Sequence, residues 1–131
     1  MKISPAAELA IQGTLVLAEN FGQGPTTLAE ICEVRSLSRE YLAKVFGQLA
    51  RIDIVTPVRG KKGGYTLARE PKEISLLQII EGIEGVQALN LCQYDPPRCD
   101  NAPVCKIQPI WSELQEIFTA KLSSVSLADC I

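Results

Sequence analysis

Two short capped helices separated by a tight turn, a basic glycine-rich hairpin directly after them, and one longer amphipathic helix near the end predict a mainly α fold. The specific form is a winged helix-turn-helix, with the hairpin as the wing and the last helix as a long C-terminal dimerisation helix. At 131 residues the chain is long enough for one compact domain with a core plus an extra helix, and short for two. The expected organisation is a winged helix-turn-helix DNA-binding domain over residues 1–85, a cysteine-containing loop over 86–106, and a dimerisation helix with a C-terminal turn over 107–131.

Ser4 is placed to cap a first helix that begins at Pro5, and Leu9, Ile11, Val16 and Leu17 carry it to about Asn20, where FGQGPT breaks it. Thr27 followed by Glu30 is a capping-box spacing that opens a short helix, TLAEICEV. After Arg35, Ser36 and Leu37, Ser38 is placed to cap REYLAKVFGQLARI, which has Leu42, Val45, Phe46 and Leu49 at helical spacing. Ile54, Val55 and Val58 then lead into the turn-rich RGKKGG, and Tyr65, Thr66 and Leu67 lead out of it, which makes a hairpin. Pro57 has no amide hydrogen to give, so its strand belongs at an edge. Ser75 starts SLLQIIEGIEG, apolar at Leu76, Leu77, Ile79, Ile80 and Ile83 and stopped by glycine. Beyond the cysteines, Ile107, Ile110, Leu114, Ile117 and Lys121 recur at spacings of three and four, with Trp111, Phe118 and Leu122 beside them. That is a broad apolar face on a helix of about 16 residues ending near Ser124, after which SLADCI forms a short last turn. The width of the face suits a contact between two copies, and two-fold dimers are what helix-turn-helix proteins use on palindromic sites.

A net charge of −2 hides a division within the chain. Residues 35–72 carry nine bases, Arg35, Arg39, Lys44, Arg51, Arg59, Lys61, Lys62, Arg69 and Lys72, against Glu40, Asp53 and Glu70, whereas the remainder is strongly acidic. A basic block that coincides with the helix-turn-helix and the hairpin is the footprint of a polyanion site, here double-stranded DNA. Ser38, Arg39, Tyr41 and Lys44 lie at the start of the recognition helix, where side chains reach base edges and phosphates in the major groove. Arg59, backed by Lys61 and Lys62, suits the negative potential of a narrow minor groove. Tyr65, inside a strand, is expected to be buried, and Tyr41 is divided between burial and DNA contact.

The chain has no histidine and five cysteines. MKISPAAELAIQ lacks the apolar block of a signal peptide and no segment is apolar enough to span a membrane, so a cytoplasmic protein with reduced thiols is expected. An odd cysteine count argues against a disulfide framework and leaves metal binding, redox sensing or burial. Cys32, among Leu28, Ile31 and Val34, is expected in the core, and Cys130 has no evident role. Cys92, Cys99 and Cys105 form a C-x6-C-x5-C series in a polar, proline-rich stretch. Zinc is disfavoured, because its sites use closer pairs or histidines. Three widely spaced thiolates on a loop can instead converge on a larger object such as an iron–sulfur cluster. A fourth ligand would then come from elsewhere: Glu8, on the polar stripe Ser4, Glu8, Gln12, is a chemically acceptable carboxylate, and Gln108 is a poorer, neutral donor. An enzyme is not expected, since the usual base for a cysteine nucleophile is missing and neither a phosphate loop nor paired carboxylates occur.

Over nearly its whole length the chain resembles the Rrf2 family of winged-helix regulators. The resemblance is carried by MKIS, LAEI, SREYLAKVFGQL, VRGKKGGYTLAREPKEISLLQIIEGIEG and the three cysteines that follow; VRG-x-x-GGY-x-L with those cysteines is its most specific part. It implies a homodimeric DNA-binding transcription regulator, often a repressor, whose DNA affinity is set by an iron–sulfur cluster that senses redox state, nitric oxide or iron–sulfur status. It also implies cluster thiols at Cys92, Cys99 and Cys105 and DNA contacts at Ser38, Tyr41, Arg59 and Gly60. One branch of the family takes a histidine three residues after the last cysteine, where this chain has Gln108. Another takes a first-helix carboxylate from the partner subunit, the place held here by Glu8. Three thiolates and a carboxylate serve either cluster type, with 4Fe–4S expected ahead of 2Fe–2S. Ala43 replaces a glutamate found in one branch, so the operator need not match. The alternative is a cluster-free regulator that uses its thiols as a redox switch or binds a metabolic enzyme.

Overall fold

The computed structural model describes residues 2–131. Along the chain run α1 (Pro5–Glu19), α2 (Leu28–Arg35), α3 (Arg39–Arg51), β1 (Val55–Val58), β2 (Gly64–Leu67), α4 (Leu76–Glu84) and α5 (Gln108–Ser124), with 3₁₀ turns at Pro71–Glu73, Leu91–Gln93, Ala102–Val104 and Leu127–Cys130. The mainly α winged helix-turn-helix with a long last helix is therefore the observed architecture.

Local chemistry starts most helices as expected. Ser4 Oγ accepts the Ala7 amide at 3.1 Å. Thr27 and Glu30 form both halves of their capping box, at 3.1 and 2.7 Å. Ser75 does the same with Gln78, at 3.2 and 3.0 Å. Ser38 departs from the expectation: it occupies the N-cap position of α3 but makes no side-chain capping bond.

The core lies between α1, α3 and α4. Leu42, Val45, Phe46 and Leu49 form the buried face of α3 and pack with Ala10, Val16 and Leu17 of α1 and Ile79 of α4. Gly13 permits the close approach of α1 and α3, because a Cβ there would sit 2.7 Å from the Phe46 ring. Tyr65 is half-buried and meets Phe46 edge-on, with centroids 5.1 Å apart at 82°. Cys32 is also half-buried, packed against this core.

β1 and β2 pair antiparallel with Val55 opposite Leu67 and Val58 opposite Gly64. The other edge of β2 is held by Thr26, whose amide donates to the Tyr65 carbonyl at 2.9 Å and whose carbonyl accepts the Tyr65 amide at 2.8 Å. β1, with Pro57, is thus the outer strand.

The C-terminal turn does more than close the chain. Leu127 is fully buried in the core, its amide donates to the Ile74 carbonyl at 2.9 Å, and the Leu76 amide donates to the Val125 carbonyl at 2.9 Å. The amide and hydroxyl of Ser126 donate to Asp129 and hold its carboxyl below the ordinary value. By contrast α5 contains no buried residue. Ile110, Leu114 and Ile117 are exposed on it, Ile117 to 60%.

Candidate nucleic-acid interface and cysteine loop

α2 ends at Ser36, which adopts the left-handed conformation (φ 53°) and turns the chain sharply into α3. Leu37 packs inward, so Ser38, Arg39, Tyr41 and Lys44 are presented on the exposed side of α3, away from Leu42 and Phe46. Arg39 shares an open groove of about 400 Å³ with Pro57, Val58, Gly60 and Lys61 of the wing and with the start of α2. The wing tip closes through the Gly63 amide on the Gly60 carbonyl at 3.0 Å, with Gly60 at φ 115° and Arg59, Lys61 and Lys62 exposed around it. The start of α3 and the wing thus line one surface, which includes Arg39, Gly60 and Lys61. Tyr41 is exposed, so the burial expected as one of its two alternatives is not observed.

Not all nine bases of the block are available to an outside anion. Arg35 is taken up by Glu19 at 2.7 Å and Gln12 at 3.2 Å. Lys72 pairs with Glu70 at 3.1 Å, which raises its pKa, and Arg69 reaches the carbonyls of Asp53 and Glu73. Among the described residues Arg39, Lys44, Arg51, Arg59, Lys61 and Lys62 are in no ion pair. All six are exposed.

Cys92, Cys99 and Cys105 are half-buried free thiols on the loop between α4 and α5. No three Cys, Asp or Glu side chains among the described residues converge as a metal site would require. Cys92 Sγ donates to Asn90 Oδ1 at 3.1 Å and accepts the Gln93 side-chain amide at 3.2 Å. Gln93 also donates to Ser112 on α5 at 3.2 Å, and Gln108 donates to the same hydroxyl at 2.8 Å. Further along α5, Gln115 accepts the Leu89 amide at 2.7 Å and donates to the Gln87 carbonyl at 2.8 Å. Arg98 stacks over Tyr94 at 3.8 Å. Glu8 is exposed on the first turn of α1 and joins no group of three potential ligands among the described residues. That turn adjoins the end of α4, since the Ser4 amide donates to Glu84.

Sequence reasoning missed the grip of α5 on the loop and the hold of Thr26 on the wing. The first had a signal: Gln108, Ser112, Gln115 and Thr119 recur at helical spacing. The second had none, since it depends on tertiary pairing.

A family profile described as Rrf2, iron-dependent transcriptional regulator, matches residues 3–131. A protein of Azotobacter vinelandii named as an HTH-type transcriptional regulator, ORF2, is 33% identical over 131 residues, which is 100% of this chain and 79% of that protein. The HTH-type transcriptional regulator IscR of Photorhabdus laumondii is 29% identical over the same span, again 79% of its length. Among solved structures, CymR, the global cysteine regulator of B. subtilis, superposes with a TM-score of 0.81 at 28% identity, covering 99% of this chain and 95% of that one. IscR of T. potens gives 0.80 at 31%, covering 99% and 85%.

Proposed function

Since this chain belongs to the Rrf2 family of transcription regulators, we propose that it acts as a homodimeric repressor on palindromic operators, with its DNA affinity set by an iron–sulfur cluster on the cysteine loop. The DNA reading is carried by the common groove of Arg39 and the wing, next to cations that no internal carboxylate neutralises. Ser38, Arg39, Tyr41 and Lys44 face the major groove, and Arg59, with Gly60, Lys61 and Lys62, lies against the adjacent minor groove. The exposed apolar stripe of α5 packs on a second copy.

The donor set of the loop fits an iron–sulfur cluster by type: three thiols, none in a disulfide. Cys92, Cys99 and Cys105 would hold it, and Glu8 of a second copy is our fourth ligand, because a carboxylate binds iron better than the neutral amide of Gln108. When bound, a cluster, 4Fe–4S in our first assignment, supplies a centre that changes redox state and reacts with nitric oxide. What the chain itself supplies is the connection, for the loop runs from the end of α4 to the start of α5.

The separation of the three thiols within one chain, and the likeness to CymR, favour a second reading: a cluster-free regulator with thiols as a redox switch, or one that binds a metabolic enzyme. Iron and sulfide analysis with Mössbauer spectra of anaerobically isolated protein separates the two. Iron and sulfide are expected, with an altered spectrum in Glu8→Ala. Their absence establishes the cluster-free reading, and an unchanged spectrum in Glu8→Ala removes that carboxylate. DNA affinity should fall steeply with salt, and Lys61→Ala should reduce the log–log slope by about one. A salt-independent affinity contradicts the interface.

A further inference from the structure

The Gln93 amide nitrogen is 3.2 Å from Cys92 Sγ and 3.2 Å from Ser112 Oγ, and the Gln108 amide nitrogen is 2.8 Å from that same oxygen. An amide nitrogen has two hydrogens and a hydroxyl oxygen has two lone pairs. Gln93 therefore gives one hydrogen to sulfur and one to Ser112, and Ser112 accepts from both glutamines. This is a continuous path from a loop sulfur to the first turns of α5, and an N–H···S bond needs only a lone pair on sulfur. A metal-bound sulfur keeps lone pairs that can accept it, whereas the thiol hydrogen that Cys92 gives to Asn90 Oδ1 would be lost.

At about 100° per residue, Gln108, Ser112, Gln115 and Thr119 fall on one stripe of α5, and Ile110, Leu114 and Ile117 fall roughly half a turn away. One side of the helix grips the loop through polar bonds. The other exposes the apolar stripe.

We infer that Gln93 and Ser112 are positioning residues that couple the Cys92 sulfur to α5, so that the occupancy of that sulfur is passed to the orientation of the helix. The inference rests on the proposed sensing role for its purpose, whereas the coupling is a property of the chain with or without a cluster.

Amide hydrogen exchange on the full chain, as isolated anaerobically and after removal of iron, tests it. Ser112→Ala should speed exchange at residues 89–93 and 108–112 about tenfold, the scale of one lost hydrogen bond, with α3 unchanged. Ser112→Thr, which keeps the hydroxyl, should restore exchange to within about twofold. Gln93→Leu should match Ser112→Ala, and the double variant should be no faster than either single one, as for two members of one path. Unchanged exchange in Ser112→Ala, or multiplicative effects in the double variant, overturns the coupling. Iron and sulfide content is measured on the same samples: coupling without iron leaves the inference standing and defeats the cluster reading, and iron without coupling does the reverse.

Discussion

Gly64 sits where the wing meets the rest of the protein. Its φ of 143° is one that other residues rarely adopt, and a Cβ there would lie 2.4 Å from the Thr26 carbonyl oxygen. Gly64→Ala should therefore break the Thr26–Tyr65 pairing that holds β2. The expected loss is about 1–3 kcal/mol in urea unfolding, with weaker DNA binding from a displaced wing. Gly47, inside α3 with open space around its Cβ position, is the control: Gly47→Ala should stabilise by about 0.5–1 kcal/mol. The string VRGKKGGY makes the hairpin legible, but the need for glycine at Gly64 comes from a loop far earlier in the chain. No local pattern could show it.

The capped helices separate two uses of one kind of residue. Ser4, Thr27 and Ser75 all bond the expected amides, and their ψ angles are 156°, 157° and 158°. Ser38 stands at the same helical position with ψ 121° and no capping bond, so its hydroxyl is left to the exposed face of α3. Thr27→Ala should cost about 1 kcal/mol in thermal or urea unfolding. Ser38→Ala should cost less than about 0.5 kcal/mol and instead weaken operator binding in a titration. Cap positions were legible because they depend on neighbours in sequence. The burial of Leu127 was not, because SLADCI has turn chemistry and its core contacts come from Ile74 and the elements beside it.

For the molecule as a whole, the winged helix and the long last helix follow from patterns of period and charge. The spacing of the cysteines was equally plain, but their placement was not: among the described residues no three Cys, Asp or Glu side chains come together. The apolar stripe on α5 was legible from its spacing, and it stays exposed in the single chain, where the proposed dimer would cover it. Ile117→Lys, at an exposed position, should leave the helix content of the folded chain unchanged in circular dichroism. It should shift sedimentation from dimer to monomer and weaken binding to a two-half-site operator. A variant that stays dimeric moves the contact off this stripe.

The seating of Leu127 gives α5 a fulcrum. Its far end is pinned by the Ile74 and Val125 backbone bonds, whereas its near end meets the loop through the side-chain amides of Gln93 and Gln108 on Ser112 and one backbone bond from Gln108 to Cys105. Seventeen residues make a lever about 26 Å long. A tilt of about ten degrees around the pinned end would swing the near end by roughly 4 Å. In the proposed two-fold dimer that stroke would be doubled between the two copies, and a small rearrangement at the thiols would become a mismatch with the helical repeat of DNA.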